Sequence, residues 1–214
     1  MKWTARLLFP RRPARLCTEC GKGLRRETRY CEHCGAWLAE STWFPDGSFN
    51  WGLVAETLAD LLTEPTAEYL TTVESCRRIL TRGKEATMIA DFEHRISSLS
   101  LDELRKVYHE TFDVTPSCSL DVGKQLYPSD EDRQRDFASR MRRELRSKNV
   151  EIAPYSPDNL ILCLRAYARM NAAGGEDFAL VVLPAVSKIA AAMRTTKNPF
   201  ENLLAIIEWI FTAQ

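Results

Sequence analysis

From residue 51 onward, apolar side chains recur every three or four positions, the spacing that lines one face of a helix. One stripe, Leu101, Leu104, Val107, Tyr108 and Phe112, follows Ser100-Leu101-Asp102-Glu103, in which Ser100 and Glu103 are placed to cap each other's backbone. A second stripe, Phe137, Met141 and Leu145, follows Ser129 and the acidic first turn Asp130-Glu131-Asp132, which suits the helix dipole. Ser156-Pro157 predicts an N-cap followed by Pro at the first helical position, leading into Leu160 to Leu164 and stopping across 171–175. Phe178 to Met193 is apolar nearly all round and predicts a helix kinked at Pro184. Asn198-Pro199-Phe200-Glu201 opens the last helix, through Leu203, Leu204, Ile206, Ile207, Trp209 and Ile210. Earlier helices are predicted over 52–63, 66–82 and 84–98.

No alternating run with a hairpin turn appears after residue 51, and Val114 to Tyr127, with Pro116 and Gly123, predicts an ordered loop. The pattern is that of an all-α, multi-helix bundle over 51–214 with its last two apolar helices at the centre. About 160 residues in such a bundle bury about 70% of their unfolded surface.

Residues 1–38 read differently. Cys17-Thr18-Glu19-Cys20 and Cys31-Glu32-His33-Cys34 are two C-x-x-C knuckles. Cys17, Cys20, Cys31 and Cys34 together supply the four thiolates of a tetrahedral zinc site, a small zinc ribbon. Four thiolates leave no open position, so the role of Zn is structural, and zinc binding would supply most of the module's folding free energy. Iron–sulfur ligation suits the same four thiolates. Residues 39–50, rich in aromatics around Pro45-Asp46-Gly47, read as a packed linker.

The 214 residues carry 29 Lys+Arg and 29 Asp+Glu, so no global charge draws the chain to nucleic acid or an anionic membrane. Residues 1–36 hold nine basic against three acidic side chains, leaving the remainder acidic. Cys76, Cys118 and Cys163 are scattered singly in apolar surroundings and read as buried thiols of a reducing compartment. Leu7-Leu8-Phe9 is cut short by Pro10, so no signal peptide is expected, and no segment reads as a membrane span of about 20 apolar residues. These readings predict a cytoplasmic protein. No nucleophile elbow, Walker loop, dinucleotide fingerprint or zinc-protease motif occurs, and no enzyme is expected. His109 reads as a solvent-facing or locally bonded imidazole.

The stretch from Tyr108 through Thr111-Phe112-Asp113, Pro116, Cys118, Leu120 and Gly123 to Leu126-Tyr127 resembles the assembly chaperones of respiratory nitrate reductase. These are the NarJ branch of the TorD/DmsD redox-enzyme maturation proteins. Arg133-Gln134-Arg135-Asp136-Phe137, Ser156-Pro157-Asp158-Asn159-Leu160, Leu183-Pro184 and Asn198-Pro199-Phe200 agree in order. The resemblance covers about 51–214; the ribbon lies outside it. Pro116 is slightly shifted, Tyr127 stands for Phe, and Asn159 stands where the family has His, which removes a titratable group but keeps a hydrogen bond. The resemblance implies an all-helical protein without enzymatic activity. Such a protein binds the N-terminal or leader segment of the catalytic subunit of a molybdopterin oxidoreductase and holds that subunit for molybdenum cofactor insertion, as monomer or dimer. It assigns peptide binding to Tyr108, Phe112 and Asp113 at a helix-to-loop junction and to Pro157, Asp158 and Asn159 at a hinge turn. For Tyr108 and Phe112 the stripe allows plain core as well, and Asp158 suits a dipole partner in a first helical turn. The alternative reading is a zinc-ribbon nucleic-acid-binding or regulatory protein with a helical interaction domain, supported by Arg25, Arg26 and Arg29 between the knuckles.

Overall fold

A computed structural model of the chain describes residues 50–170 and 172–212. Those residues are mostly helical, with no strand among them. The helices are α1 (Trp51–Leu61), α2 (Tyr69–Ile79), α3 (Gly83–Ile96), α4 (Leu101–His109), α5 (Val122–Leu126), α6 (Glu131–Ser147), α7 (Leu160–Tyr167), α8 (Ala172–Thr196) and α9 (Glu201–Thr212). Between α4 and α5 lie a π-helical turn, Glu110–Val114, and a 3₁₀ turn, Pro116–Cys118.

The helix starts follow local polar chemistry. Asn50 accepts the Leu53 N–H at 3.1 Å and starts α1. At α4 the expected capping box is formed: Ser100 Oγ accepts the Glu103 N–H, and Glu103 accepts the Ser100 N–H at 2.8 Å. Two starts differ from expectation. α6 is capped by Asp130, one residue beyond Ser129, through the Arg133 N–H at 3.0 Å. α7 is capped by Asn159, whose Oδ1 accepts the Ile161 N–H at 3.1 Å; Ser156 lies one turn earlier, its carbonyl accepting the Asn159 N–H and its hydroxyl donating to Asp158.

Helix ends use left-handed residues. Asn149 (φ 54°) lets the Val150 N–H reach back to the Leu145 carbonyl at 2.9 Å, and Lys197 (φ 52°) does the same for Asn198 and Met193 at 3.4 Å. Gly174 and Gly175 fall inside α8 and do not separate it from α7 as the sequence predicts; α7 already ends at Tyr167.

The core is deepest along α7, where every residue but Arg165 is buried, and along α9, through Leu203, Leu204, Ile206, Ile207, Ile210 and Phe211. α1 packs on α7, α3 and α8 pack on α9, and α5 is seated against α6 and α8. α8 is long and apolar enough by length and composition to cross a membrane, a property the sequence reading did not expect. One face of it, Val182, Ala185, Val186, Ile189, Ala190 and Met193, is buried in the bundle. The opposite face leaves Leu180 70% and Val181 49% exposed, so α8 bounds the core as well as filling it.

Candidate binding groove

The end of α4 positions one wall of an open groove of about 960 Å³. Tyr108 and Phe112 are one turn apart, with ring centroids 5.0 Å apart. Both rings contact Phe200, at 5.9 Å and 5.1 Å, and Phe200 also meets Phe92 at 5.7 Å. The Tyr108 hydroxyl donates to the Leu62 carbonyl at 3.0 Å. Burial pushes the Tyr108 phenol well above its ordinary pKa, so it stays a protonated donor. Both rings are buried, and both also contribute to the groove lining; core and wall are one cluster.

The π turn is tied to a residue distant in sequence. Asn198 Nδ2 donates to Thr111 Oγ1 at 2.6 Å, and Thr111 Oγ1 donates to the Val107 carbonyl at 2.6 Å. The widened turn carries Asp113 to the groove edge, where it pairs with His109 at 2.6 Å. The other imidazole nitrogen lies 3.3 Å from Glu64. The Asp113 hydrogen bond, with the Glu64 contact, raises the His109 pKa above its ordinary value against the opposing effect of desolvation.

The second wall comes from the loop around α5. Val122 N–H donates to the Asp158 carbonyl at 3.0 Å and Leu160 N–H to the Leu120 carbonyl at 2.8 Å, an antiparallel bridge pairing Asp121 with Asn159. Asn159 Nδ2 also reaches Asp121 Oδ1 at 3.3 Å, and Asp121 pairs with Lys124 at 2.7 Å. Gln125 Nε2 ties down the Pro116 and Ser119 carbonyls at 3.0 Å and 2.9 Å. This stretch is as ordered as expected, but it contains a short helix where the sequence predicts only loop.

Of the six residues singled out for peptide binding, Tyr108, Phe112, Asp113 and Asn159 line this groove. Pro157 and Asp158 are buried and are not part of its lining. Asp158 is 4% exposed; Oδ2 accepts the Gly123 N–H at 2.8 Å and Oδ1 the Ser156 hydroxyl at 2.5 Å. It fastens the hinge turn to α5. Lys188, Glu131, Lys124, Gln125 and Tyr155 also line the groove and were not singled out. The available signal for Lys188 was its charge within an otherwise uncharged and largely apolar run, Phe178 to Met193.

Cys17, Cys20, Cys31 and Cys34 lie outside the described residues. Among the described residues, no three His, Cys, Asp or Glu side chains are grouped to hold a metal ion. Cys76, Cys118 and Cys163 are buried free thiols; burial raises the pKa of each, that of Cys76 to about 12, which keeps them in the thiol form. No protein-family model matches the chain, and no curated protein matches it.

Proposed function

We propose that this protein is a binding chaperone for the N-terminal segment of a molybdopterin oxidoreductase catalytic subunit, of the nitrate reductase kind, holding that subunit for cofactor insertion. The observation that carries this reading is the groove itself. Two stretches that resemble the maturation chaperones, one ending α4 and one preceding α7, contribute Tyr108, Phe112, Asp113 and Asn159 to a single open surface. Aromatic rings supply apolar contact there, and fixed carboxylates and amides supply orientation, the mixture that holds an extended or helical segment. No step of bond chemistry is required of it. The N-terminal cysteines would hold a structural zinc ion, which metal analysis of the purified protein tests by stoichiometry.

The test is affinity capture of the tagged full-length protein from its own cells during anaerobic respiratory growth, with co-purifying proteins identified by mass spectrometry. A molybdopterin oxidoreductase catalytic subunit at near-stoichiometric level supports the reading. Its absence, under conditions where that enzyme is made, overturns it.

One observation favours a second reading, polyanion binding. Arg140, Arg142, Arg143 and Arg146 are exposed on α6 and form no ion pair among the described residues. Guanidinium groups suit phosphate. Binding to duplex DNA or RNA that falls steeply with salt would support it.

A further inference from the structure

The groove has five charged side chains in its lining, and three of them are already satisfied. Asp113 is paired with His109 at 2.6 Å, and Asp121 with Lys124 at 2.7 Å. Lys188 and Glu131 are different. Lys188 Nζ donates to the Gln125 carbonyl at 2.8 Å and has no carboxylate within ion-pair distance among the described residues. A carbonyl offers only a partial charge, and an ammonium has three donors, so two remain for a ligand. Glu131 stands exposed in the first turn of α6 and forms no ion pair among the described residues. The two unmatched charges are opposite in sign and sit on different helices, α8 and α6.

We infer that the groove selects a peptide segment bearing a carboxylate side chain for Lys188 and, at a second fixed position, a cationic side chain for Glu131, with apolar residues serving the Tyr108 and Phe112 wall. The inference rests on the peptide-binding reading above and specifies the chemistry of the segment. Charge matching of this kind acts largely on choice between partners, because a like charge at either position is repelled. Lys188 is the stronger determinant. Its ammonium is held in place by the Gln125 carbonyl, so a ligand carboxylate meets a charge that is already oriented. Lys188 and Glu131 are both exposed, but the Glu131 carboxylate has no hydrogen bond among the described residues to orient it, so it contributes less.

The experiment is selection of a random dodecapeptide display library on the immobilised full-length protein, repeated with Lys188→Glu, Lys188→Met and Glu131→Lys. Selected peptides are then measured by fluorescence anisotropy and located by amide chemical shifts of Ser117 and Ser119 in the groove. The wild-type pool is expected to carry Asp or Glu at one fixed position and Lys or Arg at another. Lys188→Met loses the acidic preference and weakens the wild-type peptides roughly ten-fold or more, the size of a hydrogen bond to a charged group. Lys188→Glu changes that position to a basic residue, and Glu131→Lys changes the other to an acidic one, weakening wild-type peptides about two- to five-fold. Peptides that shift the groove amides but are selected identically by all three variants overturn the inference and leave the peptide-binding reading standing. If no selected peptide shifts those amides, both fall.

Discussion

Asp158 Oδ2 accepts the Gly123 N–H at 2.8 Å, and a Cβ built on Gly123 would stand 2.7 Å from that same oxygen. The hydrogen bond therefore requires a residue with no side chain at 123. Asp158 is buried and short, and its second oxygen is bound to Ser156, so it has little room to retreat. Gly123→Ala is expected to destabilise the fold by about 1–3 kcal/mol, an overpacking cost. Better helix propensity would return at most about 1 kcal/mol. The midpoint of urea unfolding measures the difference.

Removing the acceptor tests the same joint from the other side. Asp158→Ala leaves the buried Gly123 N–H without its partner and is expected to lower stability by about 1–3 kcal/mol. Asp158→Asn keeps one acceptor oxygen and is expected to cost less. Full stability in Asp158→Ala combined with weakened peptide binding would put the carboxylate on the ligand instead of the hinge.

The Tyr108 wall can be dissected in the same way. Tyr108→Phe keeps the ring and removes the bond to Leu62, an expected loss of about 0.5–1.5 kcal/mol. Phe200→Ala removes the ring shared by Phe92, Tyr108 and Phe112 and is expected to cost about 3–5 kcal/mol. Thermal unfolding of both variants at one protein concentration compares them.

His109 is expected to give stability a pH dependence. Its pKa in the folded protein is raised by Asp113 first, then Glu64, while Arg105, 3.8 Å from Glu64, competes for the latter. A raised imidazole stabilises the fold fully below its unfolded value of about 6.5, and that contribution is lost as pH rises through the folded value. The melting temperature of His109→Gln should therefore fall below wild type at about pH 5.5 and approach it at about pH 9. Equal differences at both pH values would show that the imidazole charge is not involved.

What the sequence made legible was what depends on near neighbours. The capping box at Ser100 and the stripe Phe137, Met141, Leu145 need only residues three or four apart, and both are present. The π turn was not legible: nothing in the local stripe signals it, and the residue bonded to Thr111 there, Asn198, is distant in sequence. The start of α7 was misjudged for a related reason: Ser156 has the right chemistry for a cap, but residues 158–160 pair with the distant stretch 120–122 and the helix begins only at Leu160, with Asn159 capping it. Tyr108, Phe112, Asp113 and Asn159 were reached through resemblance, whereas Lys188 enters the groove only because α8 lies against α5.

The antiparallel bridge between Asp121 and Asn159 holds its side of the groove in shape before anything enters it. Little ordering is then left for the protein, and the conformational entropy lost on association falls on the arriving segment. A flexible segment held this way would bind with modest affinity for the area it covers and depart readily. For the chaperone role proposed above, such brief, repeated occupancy would allow release of the bound segment.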